Sequence, residues 1–164
     1  MEIPLTSMEQ LMPFPTAQEM VARNRKPLDS ASPDMTVLAA LQMMAERNIR
    51  FLAVIDNGKL AGVLSERDCA RRVILGKLDA SKTSVREIMS TNIHTVGSET
   101  KIPECITIMY EKDVGYLPVM RGSEFLGVLS IREVMGALIE RHERLLRRLG
   151  EERLTFLYPN ASSY

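Results

Sequence analysis

The chain has 164 residues and carries 21 basic and 21 acidic side chains, so its formal net charge is zero. A neutral chain lacks the field that gathers nucleic acid or anionic lipid, and its hydrophobic content of 45% is ordinary for a packed globular protein. Two cysteines are too few for a disulfide framework, and no apolar run approaches the ~18 residues of a membrane span.

The N-terminal region begins with residues 1–15, which contain prolines at positions 4, 13 and 15 and show no hydrophobic period. We predict a flexible segment there. Met1 is not followed by a basic stretch and an apolar run, so no signal peptide is predicted and we expect a cytoplasmic protein. A helix is predicted over Thr16–Asn24, and a short strand is predicted over Pro27–Ala31.

The residues that follow predict a helix, a β-hairpin and a second helix. Apolar residues first recur at helical spacing, and two β-rich runs then flank an Asn-Gly pair that is typical of a tight turn. In chain order, these elements are a helix from Ser32-Pro33-Asp34 to about Asn48, strands over Phe51–Ile55 and Leu60–Leu64 around the Asn57–Gly58 turn, and a helix that is capped by Ser65.

The same pattern then occurs a second time. The heptapeptide Gly62–Asp68 recurs as Gly127–Glu133, and the correspondence holds without a gap from residues 30–74 to residues 95–139. The second set of elements is a short capped helix at Thr83–Glu87, a strand over Ile93–Val96, a helix near Glu99–Lys112, strands near Tyr116–Met120 and Phe125–Leu129, and a helix that is capped by Ser130 and runs from Ile131 to Leu149, with Gly150 as its stop.

The repeat predicts an α/β (α+β) fold of two β-α-β-β-α units. A unit of roughly 50 residues is too small to hold a core alone, so we expect the two copies to pack as a pseudo-symmetric pair. The predicted organisation is a first unit over 16–82, a second unit with an extended C-terminal helix over 83–150, and a frayed tail over 151–164.

Two motifs of the repeat resemble a known family. Gly62–Asp68 has the pattern of a glycine, two apolar residues, a Ser or Thr, two residues and an Asp, and Tyr116–Val119 resembles an apolar-Pro-Val strand. On these motifs the chain resembles a tandem pair of cystathionine-β-synthase-type (CBS) domains, a Bateman module of the stand-alone bacterial type. The resemblance covers about Ala17 to Leu149, and it implies a homodimer whose modules bind an adenosine ligand.

The resemblance also implies where that ligand binds. AMP, ADP, ATP, NAD(H) or S-adenosylmethionine would occupy a cleft between the two copies. Unpaired N–H groups where the Ser65 and Ser130 helices begin would attract a phosphate, and the Asp68 carboxylate would accept the ribose hydroxyls. Arg67, Arg71 and Arg132 could reach a phosphate. The full set of candidate residues is Arg50, Phe51, Leu52, Ala53, Ser65, Arg67, Asp68, Gly115, Tyr116, Leu117, Pro118, Ser130, Arg132 and Glu133.

Simpler interpretations stand beside these roles. Ser65 and Ser130 could serve only as N-caps, and Asp68 could be a first-turn acid that stabilises the helix dipole. His94 and His142 are interpreted as structural or solvated residues. Cys69 and Cys105 are interpreted as buried small hydrophobes rather than as a redox switch, the basic and acidic run 141–153 as a solvated helical face rather than a nucleic-acid patch, and no zinc or hydrolase signature occurs in the sequence.

The leading hypothesis is a non-enzymatic regulatory module that senses an adenine nucleotide and signals to an unidentified protein partner. It needs no catalytic cofactor, no nucleic acid and no membrane. The alternative is a constitutive dimeric scaffold with vestigial clefts, and a small enzyme is the least favoured class. Leu138, Leu145, Leu146 and Leu149 predict an apolar stripe on the last helix that supports the dimer. Because Glu133 stands where the first copy has Asp68, the two sites are predicted to be unequal.

Overall fold

The computed structural model describes residues 13–23 and 29–157, and the sequence repeat appears there as two halves, each built on a three-stranded sheet. In chain order, the elements are α1 (Ala17–Arg23), β1 (Ser30–Ala31), α2 (Val37–Arg47), β2 (Phe51–Asp56), β3 (Lys59–Ser65), α3 (Glu66–Cys69) with its π-helical continuation (Ala70–Ile74), α4 (Val85–Ile88), β4 (Val96–Gly97), α5 (Ile102–Glu111), β5 (Tyr116–Arg121), β6 (Glu124–Ser130) and α6 (Ile131–Leu157). The predicted α+β class of paired β-α-β-β-α units is confirmed.

The two sheets have the same topology and register. In the first half, built on β1–β3, the short β1 lies parallel to β2, and β2 and β3 form an antiparallel hairpin. In the second half, built on β4–β6, the strands pair in the same way. The predicted hairpin turn is confirmed, since Asn57 and Gly58 have φ values of 48° and 76°. Two successive positive φ angles match the twist that an antiparallel ribbon needs, which explains the Asn-Gly pair.

Two predicted elements begin later in the structure than the sequence predicts. Helix α2 begins at Val37 rather than at Ser32–Asp34, because the hydroxyl of Thr36 is the group that caps it, accepting the Ala39 N–H at 3.2 Å. Strand β4 begins at Val96 rather than at residue 93, because only two of its residues pair with β5. The strand predicted from position 27 is present at Ser30–Ala31, and positions 27 and 28 lie outside the described residues.

Helix α6 is longer than the sequence predicts. Gly150 does not end it, and the helix continues to Leu157. A glycine inside a helix costs about 1 kcal/mol relative to alanine, but it stops the helix only where it takes a left-handed conformation. Gly150 is not among the glycines with positive φ, so nothing breaks the helix there. The predicted flexible segment at 1–15 lies mostly outside the described residues. Of the frayed tail predicted over 151–164, residues 151–157 are helical and residues 158–164 lie outside the described residues.

The short helices α1 and α4 are exchanged between the halves. Helix α1 precedes the first half in sequence, yet Ala17 and Met20 belong to the second half's core, and the Ala17 N–H donates to Thr100 O at 2.8 Å. Helix α4 precedes the second half, yet Val85 and Ile88 belong to the first half's core. The core of the first half is therefore completed by α4, and the core of the second half is completed by α1.

The described helices are each too short or too polar to span a lipid bilayer. Even the long α6 fails this test, because charged residues occur along its whole length.

Candidate functional site

A cleft of about 500 Å³ lies where the two halves meet. Phe51 of β2 and Tyr116 of β5, which are equivalent in the repeat, stack here with ring centroids 4.6 Å apart and an angle of 15° between the ring planes. The wall is formed by both halves and by the linker between them, and its residues are Arg50, Phe51, Val63, Ser65, Glu66, Arg67, Asp68, Arg71, Ser90, Asn92, Ile93, His94, Asp113, Val114, Gly115, Tyr116 and Pro118.

The structure brings together eight of the residues that the sequence predicts for the site. They come from the strand ends of both halves and from the start of α3, and they are Arg50, Phe51, Ser65, Arg67, Asp68, Gly115, Tyr116 and Pro118. The first half thus supplies the carboxylate and the arginines, and the second half supplies Tyr116 and Pro118 as an apolar wall.

Three predicted residues on the same strands do not line this cleft. Leu52 and Leu117 are fully buried in the cores of their own halves. Successive side chains of a strand point to opposite faces, so Leu52 and Leu117, which follow Phe51 and Tyr116 within the strands, face the core. Ala53 is also fully buried and is not part of the wall, whereas its equivalent Pro118 is. Leu52, Ala53 and Leu117 therefore do not line this cleft, although they lie on the same strands as residues that do.

Ser130, Arg132 and Glu133 also lie outside this cleft, at the junction of β6 and α6. They occupy the places in the second half that Ser65, Arg67 and Asp68 occupy in the first. The first-half counterpart of the linker wall is the segment 25–29, which lies almost entirely outside the described residues.

The start of α3 is closed by a capping box between Ser65 and Asp68. The Ser65 hydroxyl donates to Asp68 Oδ2 at 2.6 Å, and the Ser65 N–H donates to the same oxygen at 3.3 Å. The Asp68 N–H donates back to Ser65 Oγ at 3.1 Å, and the Glu66 N–H donates to Arg50 O at 3.1 Å. Of the N–H groups expected to be unpaired here, those of Glu66 and Asp68 therefore have partners within the protein, and phosphate binding at this helix start stays a prediction. Within the described residues, Asp68 Oδ1 has no hydrogen-bond partner, so this oxygen can accept from a ligand.

The second half makes the same cap with a longer side chain. Glu133 Oε2 accepts from the Ser130 N–H at 2.7 Å and from the Ser130 hydroxyl at 2.8 Å. The Glu133 N–H donates to Ser130 Oγ at 3.3 Å. The additional methylene is thus absorbed by a bend of the glutamate back onto its own helix start. The N-cap interpretation of both serines is confirmed.

The linker between the halves supplies wall residues that the sequence interpretation missed. Val63 and Ser90 exchange two backbone hydrogen bonds of 2.9 Å, which hold the linker against β3. Gly62 permits this approach, because an added Cβ would lie 2.6 Å from Met89 Sδ and 3.1 Å from Ser90 O. His94, interpreted as structural or solvated, follows on this linker and lines the cleft. The repeated glycine at position 62 was the available signal that another segment crosses there.

Charges of both signs surround the aromatic pair. Arg50 Nε lies 3.9 Å from Glu66 Oε2, an ion pair at the rim of the cleft. Burial raises the pKa of the Tyr116 phenol, with smaller opposing effects from Arg50 and Glu66. Tyr116 is therefore neutral near pH 7, and its hydroxyl keeps its proton as a hydrogen-bond donor.

The thiol of Cys69, which follows Asp68 in the sequence, is unreactive near neutral pH. Cys69 is 2% exposed, and burial, followed by the negative charge of Asp68, raises its pKa to about 11. A thiol with such a pKa is a poor nucleophile and a poor metal ligand near neutral pH. Within the part of the chain that the structure describes, no group of three or more His, Cys, Asp or Glu side chains could hold a metal ion.

The fold and the cleft define a protein of two repeated α+β domains with a shared binding cleft. The CBS domain family model matches residues 21–75 and 85–140, which is more than half of the chain. The chain therefore belongs to the CBS domain family and contains two CBS domains.

Known proteins with CBS domains are similar in sequence and in structure. The mitochondrial CBS domain-containing protein CBSX3 of Arabidopsis thaliana is 31% identical over 121 residues, which cover 71% of this chain. The matched segment spans 59% of that relative's own length. A putative signal-transduction protein with CBS domains from Burkholderia ambifaria has a TM-score of 0.71 at 30% identity, over 76% of this chain and 94% of that one.

Two more distant structures share the fold and contain ligands. The CBS domain pair of protein MJ0100, in complex with 5′-methylthioadenosine and S-adenosyl-L-methionine, has a TM-score of 0.69 at 19% identity, over 79% of this chain and 99% of that one. CBSX2 in complex with AMP has a TM-score of 0.63 at 21% identity, over 71% of this chain and 91% of that one. Adenosine is the chemical group that these three ligands have in common.

Proposed function

We propose that this protein is a regulatory module that binds an adenosine-containing ligand in the cleft between its two CBS domains. The observation that carries the proposal is the composition of that cleft. Its volume of about 500 Å³ is within the range of about 300–1,000 Å³ of small-molecule sites. A carboxylate oxygen at Asp68, an apolar wall at Tyr116 and Pro118, and the arginines face one space. The carboxylate oxygen suits a ribose, the apolar wall suits an adenine, and the arginines suit a phosphate.

The fold supports the same ligand class. Structures of CBS domain pairs contain AMP, methylthioadenosine and S-adenosylmethionine, and CBS domain pair proteins are generally regulatory rather than catalytic. AMP, ADP, ATP and NAD(H) are the candidate ligands. The Asp68 oxygen that the cap leaves available can accept a ribose hydroxyl, and a hydrogen bond to a charged group contributes about 1.5–3 kcal/mol.

The way in which ligand binding is signalled follows from which parts of the chain form the cleft wall. The cleft is closed by strands from both halves and by the linker, so a ligand that contacts all three changes how the halves pack. A ligand shifts the balance between two packings only by its difference in affinity for them. A protein partner reads that change in packing. The cytoplasmic location stays a prediction, since the relative CBSX3 is mitochondrial.

Titration calorimetry with AMP on Asp68→Ala and on Glu133→Ala tests the proposed site. The two variants are matched, because each removes the carboxylate of one capping box. We expect Asp68→Ala to weaken the tightest binding step about 10- to 100-fold, the equivalent of one charge-assisted hydrogen bond. Glu133→Ala should leave that step unchanged.

Two results would contradict the proposal. If Glu133→Ala abolished the tightest step and Asp68→Ala left it intact, the two sites would be assigned the wrong way round. If the unaltered protein bound no adenosine compound and was not stabilised by one in a thermal-shift assay, the scaffold with vestigial clefts would be the better account.

We further propose that the module forms a homodimer through α6. Of the predicted stripe residues, Leu138 packs against the second half's core and so serves the chain's own fold, and Leu145 is half-buried. Leu146 and Leu149 are exposed, and the same helix also exposes Ile131, Met135 and Ile139. Such a row of apolar side chains is typical of an interface. Light scattering should give a dimer at micromolar concentration, and Ile139→Glu should give a monomer; a monomeric unaltered protein would contradict this proposal.

A further inference from the structure

The cleft is electrically balanced despite its many charges. Three arginines line it, at positions 50, 67 and 71, and three carboxylates line it, at positions 66, 68 and 113. The charges of these six side chains sum to zero. The cleft as a whole therefore offers no excess positive charge to a highly charged anion.

One of the three arginines already has a carboxylate partner. Arg50 and Glu66 form the rim ion pair at 3.9 Å, and the Glu66 N–H bonds to the carbonyl of Arg50. Arg67 and Arg71 form no ion pair within the described part of the chain, and both are exposed at the cleft. These two guanidinium groups are the cations that a ligand can use.

The two available cations lie side by side. Arg67 lies in α3 and Arg71, four residues on, lies in its π-helical continuation, and both side chains line the cleft. Each guanidinium has a planar fork of donors that can bind two phosphate oxygens at once. A phosphate monoester carries about two negative charges near pH 7, so the pair matches one such group in charge.

Most of the main-chain N–H groups at the start of α3 already have partners. The N–H groups of Ser65, Glu66 and Asp68 are already bonded within the protein. Asp68 stands between the two arginines in sequence, and its Oδ1 is the oxygen that can accept a ribose hydroxyl. In a nucleoside 5′-phosphate one methylene joins the ribose to the phosphate, so the groups that bind these two parts must be neighbours.

We propose that the cleft selects an adenosine 5′-monophosphate over adenosine and over the triphosphate. This inference rests on the proposed adenosine-binding function of the same cleft. Adenosine leaves Arg67 and Arg71 without a counter-charge. A second and a third phosphate bring further negative charge into a cleft whose remaining groups are the Arg50–Glu66 pair and the carboxylate of Asp113. The second half does not repeat this device, because Gly136 stands at the place of Arg71.

The test is calorimetry with adenosine, AMP, ADP and ATP at fixed ionic strength, with EDTA present to exclude metal-bound nucleotides. AMP should bind at least 10-fold more tightly than adenosine and at least as tightly as ATP. Arg71→Gln should reduce the AMP-to-adenosine ratio by about 10-fold and leave adenosine binding unchanged. The matched control is Arg72→Gln, which removes the same charge from the adjacent residue, outside the cleft wall, and should leave the ratio unchanged.

The outcomes separate this inference from the proposed function. Adenosine binding as tight as AMP binding, or ATP binding 10-fold tighter than AMP binding, would overturn the monophosphate preference and leave the adenosine site standing. An equal loss of the ratio in Arg72→Gln would also overturn it, because the effect would then be general screening. No binding by any of the four compounds would overturn the proposed function, and the inference with it.

Discussion

The two halves share a register, a topology and a capping box, yet they differ in how the helix after the cap is built. In the first half, α3 carries Glu66 and Asp68 and continues as a π-helical segment that carries Arg71. In the second half, the equivalent positions are Ile131, Glu133 and Gly136, and the helix is long. The two halves thus have the same backbone framework, but the charged residues at these three positions are concentrated in the first half.

The difference teaches that the cap and the ligand site are separate properties. Both Asp68 and Glu133 cap their helices through one carboxylate oxygen with similar distances. The cap therefore tolerates either acid. What distinguishes the halves is the surroundings of that acid, which are arginines and a polar linker in the first half.

The largest expected effect tests whether the two cores are equivalent. Leu64 and Leu129 occupy the same register and are fully buried. Each substitution by alanine should lower the free energy of unfolding by about 2–5 kcal/mol, since it removes buried methyl groups and leaves a cavity. Denaturant unfolding followed by circular dichroism should show one shared transition for both variants. Two separate transitions would mean that the halves unfold independently.

The next effect contrasts two glycines, one in each half. Gly58 has φ of 76° with open space around its Cβ position, so Gly58→Ala should destabilise the first half by about 1–2 kcal/mol through backbone conformation alone. Gly150 lies inside α6, also with open space, so Gly150→Ala should stabilise the protein by up to about 1 kcal/mol. Thermal unfolding measures both. Destabilisation by Gly150→Ala would mean that α6 does not continue through that position.

A smaller effect should come from the contact that joins the halves. The stacked rings of Phe51 and Tyr116 should have a coupling free energy of about 0.5–1.5 kcal/mol beyond their separate contributions. A double-mutant cycle of Phe51→Leu and Tyr116→Leu, measured by denaturant unfolding without ligand, gives this value. Strictly additive effects would show that the rings contribute only their separate burial.

The smallest expected effect concerns the acids that cap the exchanged helices. Hydrogen bonds from the Thr16 N–H lower the pKa of Glu19, and those from the Ser84 N–H lower the pKa of Glu87, in both cases below the usual 4.5. The charged forms are favoured in the folded state, so their contributions are fully present above pH 4.5. They are lost as the pH falls through the lowered values.

Carboxyl NMR titration should therefore give midpoints below 4.5 for Glu19 and Glu87, one from each exchanged helix. Glu19→Gln and Glu87→Gln should remove part of the acid-dependent loss of stability. A midpoint at or above 4.5 for either group would mean that its cap is not formed in solution.

The sequence predicted local features well and non-local ones poorly. The Asn57–Gly58 turn and the serine caps are set by residues that lie next to each other, so their patterns are readable from the chain. The repeat also indicated the strands that meet at the cleft. The polar wall around His94 depends on the linker crossing β3 at Gly62, which is a contact between segments that no local pattern specifies.

The cleft shows the same limit at the level of single residues. The sequence predicts Leu52 and Leu117 as ligand contacts because they lie on the strands that reach the cleft. Side chains alternate along a strand, however, and these two are buried in the cores of their own halves. Period-two alternation was visible in the sequence, yet which of the two faces meets the other half depends on how the halves pack. The sequence predicts a shorter α6 because Gly150 matches a helix stop signal, whereas the backbone remains helical at that position.

The exchange of α1 and α4 makes the chain hard to divide. Val85 and Ile88 fill the first half's core from beyond the connecting loop, while Ala17 and Met20 fill the second half's core from before the first strand. A fragment that ends in the loop between the halves would lack α4, which completes the first half's core. It would also expose α1, which packs into the second half's core. A single protease cut in that loop should therefore leave a nicked but associated molecule, and fragments prepared separately should become structured only when mixed.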